Sequence, residues 1–244
     1  IIIKKIVYIF LKQIISRFSF VIAISKSDLK YLNYKRQNKR YIPCWISSNF
    51  SAYQISPKTL IGDEKYNSLE DTKLLYYGRL EENKGIISFL RKYNEYFSKN
   101  DHIVKFPKVE IIGDGSQKDE LIKLSENNKN IIYYGRLDDK SLIERIIQSD
   151  YVIFPSLYEG FGITIIECLK LGKRCILNKN GNLKDIFGDG PFLYSSFIDI
   201  GSLINIFPKF KDIKVSERIK FAEKYDFNNV MKQYEKIYSK ILNN

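Results

Sequence analysis

The chain has 244 residues, of which 44% are hydrophobic and 28% charged, a balance typical of a folded protein rather than a disordered one. Lys and Arg outnumber Asp and Glu by 40 to 28, and residues 1–50 carry ten of the basic side chains with a single acid. The three cysteines form no Cys-x-x-Cys pair, which argues against zinc ribbons and disulfide scaffolds and fits a reducing compartment. The single histidine, His102, lies in a polar run and is expected to be a solvated loop residue. No apolar run reaches the roughly 18 to 20 residues that a membrane span needs.

The first 72 residues differ in character from the rest. Helical spacing over Ile1–Arg17, with basic residues on the polar side, predicts an amphipathic helix. A strand over Phe20–Ile24, a helix over Lys26–Leu32 and a second strand over Tyr41–Ile46 are expected to follow. Residues 51–72 are polar, show no clear period and are predicted to be a linker.

From residue 73 onward, short apolar runs alternate with amphipathic stretches. The predicted strands are Lys73–Tyr77, Val109–Ile112, Ile131–Tyr134, Tyr151–Phe154, Arg174–Leu177 and Pro191–Tyr194. The predicted helices are Ile86–Phe97, Gln117–Glu126, Lys140–Gln148 and Ile163–Leu171, with two more in the tail Ser216–Asn244 that break near Asp226. Such alternation favours an α/β fold with a Rossmann-like, doubly wound parallel sheet, in which ligands bind beyond the carboxyl ends of the strands.

The usual phosphate-binding motifs are absent from the loops that follow these strands. The chain contains neither Gly-x4-Gly-Lys-Ser/Thr nor Gly-x-Gly-x-x-Gly, which disfavours P-loop enzymes and dinucleotide dehydrogenases. No Asp-x-Asp occurs either, which argues against a metal–diphosphate site.

A different anion site is nevertheless indicated. Arg79 and Lys84 follow the first strand of the series, and Gly160-Phe161-Gly162 precede a helix whose first free N–H groups are those of Ile163 and Thr164. Helix N-termini bind phosphate because their unpaired donors and dipole favour negative charge, and two cations could neutralise the same anion from the other side. Glu159 in the loop and Glu167 about one turn into the helix could each accept from sugar hydroxyls. Together these groups describe a diphosphate flanked by two sugars, although each residue taken alone is more often merely solvated.

The order of these motifs resembles the C-terminal, donor-binding domain of a GT-B glycosyltransferase, most of all the retaining family called family 4. The motifs that carry the resemblance are Gly78-Arg79-Leu80 with Lys84-Gly85, Gly113-Asp114-Gly115, Ser149–Ser156 and the Glu159-x7-Glu167 pair. The similarity runs from about Phe18 to the C-terminus.

The resemblance implies a role for each of these residues. Arg79 and Lys84, with the turn at Gly78, would bind the donor diphosphate, and Glu159 would approach the transferred sugar. Residues Gly160–Thr164 would offer backbone donors to sugar and phosphate, and Glu167 would hold the nucleotide ribose. The loop Gly135-Arg136-Leu137 would lie near the base. The family needs no metal, so no cofactor is expected beyond the donor substrate.

Two departures from the family pattern stand out. Cys168 replaces the usual small residue after the second glutamate, which affects packing rather than a ligand contact. The family also builds its site between two Rossmann-type domains, which need more than roughly 300 residues. Residues 1–50 match only the end of the acceptor-side domain, 73–215 the donor-binding domain, and 216–244 the helices that pack back on the N-terminal side. We therefore expect a donor site without a complete active site.

The resemblance implies an enzyme that transfers a hexosyl unit, with retention, from a UDP- or GDP-sugar to a glycan or lipid-linked acceptor in cell-surface polysaccharide synthesis. The main alternative is a non-catalytic nucleotide-sugar-binding subunit that needs a partner acceptor domain. An epimerase on the same scaffold is a further alternative, although the acid–base residues for it are not found. A nucleic-acid partner is not expected, since only the charge suggests one and no recognition module is present.

The basic segment, residues 1–40, has two interpretations. It fits a surface that faces anionic lipid on the inner side of the plasma membrane, where each Lys or Arg contributes about 1 kcal/mol. It equally fits a solvated helix in a lysine-rich protein. The expected localisation is cytoplasmic in both cases, and peripheral at the membrane in the first.

Overall fold

The structure, a computed structural model, describes residues 20–24, 39–53, 71–99 and 106–242. Strands β1 (Val21–Ala23) and β2 (Lys39–Tyr41) pair in parallel as a small sheet. A second sheet has six parallel strands in the order β5-β4-β3-β6-β7-β8. These strands are β3 (Lys73–Tyr77), β4 (Lys108–Ile112), β5 (Ile131–Gly135), β6 (Tyr151–Phe154), β7 (Arg174–Asn178) and β8 (Leu193–Ser195).

Helices connect and flank these strands. They are α1 (Ser48–Ala52), α2 (Ile86–Lys99), α3 (Lys118–Glu126), α4 (Asp139–Gln148), α5 (Ile163–Lys170), α6 (Leu183–Phe187), α7 (Ile200–Ile204), α8 (Val215–Glu223) and α9 (Phe227–Leu242). Short 3-10 helices span Glu82–Lys84 and Phe207–Asp212. Among the described residues, no helix combines the length and apolar character needed to cross a membrane.

The large sheet is covered on both faces. Every residue of β6 and β7 is buried, and successive side chains belong to opposite hydrophobic clusters, as the two-residue period of a strand requires. Val152 and Phe154 pack with α4 and α5, whereas Tyr151 and Ile153 pack with α2 and the 3-10 segment around Phe207. The three-layer α/β architecture predicted from the continuous apolar runs is therefore confirmed.

Several predicted element bounds are wrong. The second N-terminal strand is Lys39–Tyr41 rather than Tyr41–Ile46, because Pro43 lacks the N–H that a longer ladder would need. The last strand is Leu193–Ser195 rather than Pro191–Tyr194. The predicted linker overlaps α1, and the short helices α1, α6 and α7 were not expected, since five-residue segments carry little periodic signal.

The tail helices contact both the large sheet's helices and the N-terminal segment. Ile46 N–H donates to the carbonyl of Tyr225 at 3.0 Å, and the rings of Trp45 and Phe227 meet edge to face at 5.8 Å. The fully buried Arg218 of α8 donates to the carbonyl of Gly172 at 2.7 Å, just beyond α5. Two tail helices that break near Asp226 are thus confirmed, whereas the proposed domain boundaries stay a prediction.

Some predictions lie outside the described residues. These are the helices over Ile1–Arg17 and Lys26–Leu32, residues 54–70 of the linker, and the loop that holds His102. Of the ten basic side chains near the N-terminus, only Lys39 and Arg40 are described.

Candidate functional site

A cavity of about 1000 Å³ opens at the carboxyl ends of the strands. This is the edge of an open α/β sheet at which ligands bind. Its wall includes ten of the site residues predicted from the sequence: Gly78, Arg79, Lys84, Arg136, Leu137, Glu159, Phe161, Gly162, Ile163 and Thr164. Tyr76, Tyr77, Gly113, Asp139 and Ser156 also line it.

Hydrogen bonds hold the loop after β3 in a conformation that places Arg79 at the cavity. The buried Tyr76 hydroxyl donates to the Arg79 carbonyl at 2.6 Å, and Leu80 N–H donates to the carbonyl of Asp114 at 2.8 Å. Gly113 must be glycine, because at its φ of 146° an added Cβ would lie 1.8 Å from the Gly78 carbonyl oxygen. Burial, with a smaller contribution from the nearby charge of Glu159, raises the pKa of Tyr76, which keeps its hydroxyl a donor. The Arg79 side chain remains exposed at the cavity wall.

Lys84 and Glu159, which both line the cavity, form an ion pair. Their Nζ and Oε2 atoms are 2.6 Å apart, and their side chains are only 12% and 10% exposed. The second carboxylate oxygen, Oε1, accepts from the Ser156 hydroxyl at 2.8 Å. Gly85 permits this approach, because its φ of 70° and its contact with the Pro155 carbonyl, 2.4 Å from an added Cβ, exclude a larger residue. Both oxygens of Glu159 are therefore engaged inside the protein.

The N-terminus of α5 points into the same cavity. Gly162 precedes the helix in a left-handed conformation with φ of 84° and, as a glycine, has no side chain with which to cap it. The first N–H groups of a helix have no intrahelical partner, so those of Ile163 and Thr164 are available to a ligand. Free donors and the helix dipole together favour an anion at this position.

Glu167 is buried beside the wall rather than on it. Only 6% of the residue is exposed, and the hydroxyl of Tyr77, which does line the cavity, donates to Oε2 at 3.4 Å. Burial raises the pKa of Glu167 to about 7; the Tyr77 hydrogen bond opposes the shift and the charge of Asp139 adds to it. Burial and the neighbouring Glu167 also raise the pKa of Tyr77. The carboxyl group beside this wall is therefore expected to change its charge near neutral pH.

The loop after β5 forms a further part of the cavity wall. Arg136 and Leu137 line the cavity, and Asp138 caps α4 by accepting from the Ser141 N–H at 3.0 Å. The next residue, Asp139, lines the cavity and accepts from the Asn49 amide of α1. The backbone of this rim is thereby attached to a rigid helix start.

The sequence-predicted residues therefore converge on one site. Gly135 is the last residue of β5, and Gly160 is exposed between the lining residues Glu159 and Phe161. Sequence reasoning missed Tyr76, Tyr77, Asp139 and Asn182, a residue that contacts the backbone of Glu159. The two tyrosines end β3, so their position at a strand terminus was a usable signal. Within the described ranges, no group of three His, Cys, Asp or Glu side chains is arranged to hold a metal ion.

Comparison with protein families agrees with this geometry. Residues 62–221 match the family "Glycosyl transferases group 1", and the chain belongs to that family. A protein of Klebsiella pneumoniae described as an uncharacterized 41.2 kDa protein in the cps region is 26% identical over 197 residues. The match covers 77% of this chain and 50% of that protein, so the chain spans about half the length of this relative.

Two solved structures share the fold of the chain. Sucrose-phosphate synthase from Thermosynechococcus elongatus superposes with a TM-score of 0.72 at 18% identity, covering 96% of this chain and 61% of the other. Anabaena HepE, solved in complex with UDP and glucose, superposes with a TM-score of 0.71 at 17% identity, covering 96% and 66%. The GT-B fold expected from the order of the motifs is confirmed.

Proposed function

We propose that the chain binds the donor of a retaining glycosyltransferase that moves a hexosyl unit from a UDP- or GDP-sugar to a glycan or lipid-linked acceptor. The observation that carries the proposal is the convergence of Arg79, Lys84 and the N-terminus of α5 on one cavity, with Glu159 on its wall and Glu167 buried beside it. Family membership and the UDP and glucose bound to HepE support it. Since the chain spans about half of its relative, we propose that residues for the acceptor come from outside it.

The proposed chemistry depends on stabilising the leaving group. Negative charge grows on the diphosphate as the sugar departs, and preorganised donors aimed at that charge are usually the largest single contribution to catalysis. Arg79, Lys84 and the N–H groups of Ile163 and Thr164 are the donors available here. In this proposal the cations of the chain, rather than a metal ion, offset the charge of the diphosphate.

Glu159 is proposed to orient the transferred sugar rather than to attack it. A nucleophilic carboxylate, as in retaining hydrolases, forms a covalent bond through one of its oxygens. Lys84 holds one oxygen of Glu159 and Ser156 holds the other, which favours a fixed acceptor of hydrogen bonds. Glu167 is proposed to accept from the ribose hydroxyls, and the Arg136–Leu137 loop to contact the base.

Calorimetric titration of the chain with UDP, GDP and their sugars tests the proposal. We expect one of the two diphosphates to bind at least tenfold more tightly than the other, and Arg79→Ala to weaken that binding at least tenfold. Arg91→Ala is the matched control, because Arg91 is an exposed arginine that pairs with Glu120 on the surface helices α2 and α3. If neither diphosphate binds, or if Arg79→Ala binds as the wild type does, the donor site is refuted.

Membrane contact through residues 1–40 and a cytoplasmic localisation stay predictions. The retaining outcome is likewise open to one measurement, the anomeric configuration of the product formed by the full-length enzyme.

A further inference from the structure

The loop that carries Glu159 is held by an asparagine on each side. On the side of β3, the Asn83 carbonyl accepts from the N–H groups of Leu157 at 2.9 Å and Tyr158 at 3.3 Å. The amide of Asn83 donates back to the Tyr158 carbonyl at 3.2 Å. This contact fixes the middle of the loop but does not reach Glu159 itself.

On the side of β7, Asn182 contacts the backbone of Glu159 twice. Its Oδ1 accepts from the Glu159 N–H at 2.8 Å, and its Nδ2 donates to the Glu159 carbonyl at 2.7 Å. Only a side-chain amide can accept and donate in this way, since a carboxylate has no donor and a hydroxyl is too short to reach both atoms. The backbone groups on both sides of the Glu159 side chain are thereby held by one residue.

Asn182 is itself fixed to the sheet. It lies four residues after the end of β7, the neighbour of β6, and its own N–H donates to the Leu157 carbonyl at 3.2 Å. The segment from Asn178 to Asn182 follows the loop closely: the Asn178 amide donates to the Pro155 carbonyl at 2.8 Å, and a Cβ on Gly181 would lie 2.4 Å from the Ser156 carbonyl oxygen. The position of Glu159 is therefore fixed relative to the buried strand β7.

We propose that Asn182 is a positioning residue for Glu159 and thereby determines how strongly the site prefers a donor that carries its sugar over the bare nucleoside diphosphate. The inference rests on the proposed function, in which Glu159 contacts the transferred sugar. With its backbone held by Asn182 and its oxygens held by Ser156 and Lys84, Glu159 can meet sugar hydroxyls without first being ordered. Positioning groups of this kind matter because a displacement of about 1 Å can cost about 100-fold in rate. In the described part of the chain, the hydrogen bonds of Asn182 join it to Leu157, to Glu159 and to the start of α6, and none of them reaches Arg79 or Lys84.

The test compares two dissociation constants for each variant, one for the nucleoside diphosphate and one for the same nucleotide with its sugar. In Asn182→Ala we expect the preference for the sugar-bearing donor to fall at least fivefold, while the affinity for the bare diphosphate stays within twofold of the wild type. Asn182→Asp retains the volume of the side chain but cannot donate to the Glu159 carbonyl, so the same loss is expected there. Asn180→Ala is the matched control, because Asn180 is an exposed asparagine of the same turn.

The outcomes separate the inference from the proposed function. Unchanged diphosphate affinity also shows that a variant is folded, and Asn182→Asp serves if Asn182→Ala does not fold. Variants that lose both affinities in proportion, or that keep the full preference for the sugar, overturn the positioning role. A wild type that binds the diphosphate without preferring the sugar also overturns it but leaves the donor site intact. A wild type that binds neither nucleotide refutes the proposed function instead.

Discussion

The two buried glutamates of the cavity lie in contrasting surroundings. Glu159 is bonded to the ammonium group of Lys84 at 2.6 Å and to the hydroxyl of Ser156, so its charge is balanced inside the protein. Glu167 is equally buried, but the hydroxyl of Tyr77 donates to it at 3.4 Å and the nearby Asp139 adds negative charge. Burial, with no cation paired to this carboxylate among the described residues, raises the pKa of Glu167 to about 7.

The two glutamates are therefore suited to different functions: Glu159 to a fixed position, and Glu167 to accepting hydrogen bonds from a ligand. The region around Glu159 is ordered before any ligand binds, because its hydrogen bonds and its ion pair lie within the chain. The carboxylate of Glu167 can accept further hydrogen bonds, so a ligand with hydroxyl groups would stabilise its ionised form. We therefore expect stability and nucleotide binding to respond differently to changes at Glu159 and at Glu167.

The largest effect on stability is expected from breaking the Lys84–Glu159 ion pair. Removing one partner of a buried ion pair leaves an uncompensated charge, which destabilises a protein by about 3 to 5 kcal/mol. We therefore expect Lys84→Ala to lower the free energy of unfolding by about 3 kcal/mol in urea denaturation. The double variant Lys84→Ala/Glu159→Gln should regain much of this loss, because no buried charge remains.

Lys92→Ala is the control for that experiment, because Lys92 pairs with Glu95 on the exposed face of α2. Its unfolding midpoint should equal that of the wild type, since exposed pairs contribute little. If Lys84→Ala were no more destabilised than Lys92→Ala, the balance of charge ascribed to Glu159 would be wrong.

A smaller effect on stability, which depends on pH, is expected from replacing Glu167. Its pKa is raised from 4.5 to about 7 in the folded chain, so its protonated form stabilises the fold below about pH 4.5 and this contribution is lost as pH rises through 7. The shift corresponds to about 3 kcal/mol at most. Without ligand, Glu167→Gln should therefore gain stability relative to the wild type as pH rises from 5 to 8, as measured by urea denaturation.

Nucleotide binding should respond in the opposite direction. The ionised carboxylate is the better acceptor for ribose hydroxyls, so wild-type affinity is expected to rise up to roughly tenfold between pH 6 and 8. Glu167→Gln should bind weakly and without this pH dependence in calorimetry, whereas Glu144→Gln on the exposed face of α4 should behave as the wild type. An unaltered pH profile in Glu167→Gln would assign the titration to another group.

The smallest effect is expected at the rim that the loop after β5 forms. Asp138 and Asp199 cap α4 and α7 in the same way, each accepting from the N–H and the hydroxyl of a serine three residues on. Alanine at either position should cost a similar, small amount of stability in thermal melts. Only Asp138→Ala, next to Arg136 and Leu137, should also weaken nucleotide binding, by less than about threefold. If the two variants bind the nucleotide equally well, this loop does not contribute to the binding site.

Much of the fold was predictable because the buried strands are short and continuously apolar. The parallel sheet from β3 to β7 follows from that pattern, and the glycine-rich loops after its strands indicated where the cavity lies. The helix α6 was missed, as a five-residue helix has too few turns to show a period. The strand predicted over Tyr41–Ile46 was misplaced because the ladder ends at Tyr41 and Pro43 lacks the N–H that would extend it.

The sequence by itself determined the order of the motifs, and with it the family, the fold and the residues that meet at the cavity. Only the tertiary structure decided how those residues pair. The contact between Lys84 and Glu159 joins positions 75 residues apart, and that between Asn182 and Glu159 joins loops from neighbouring strands. The raised pKa of Glu167 also depends on burial by packed helices, since a carboxyl group loses its water only when the chain around it has folded.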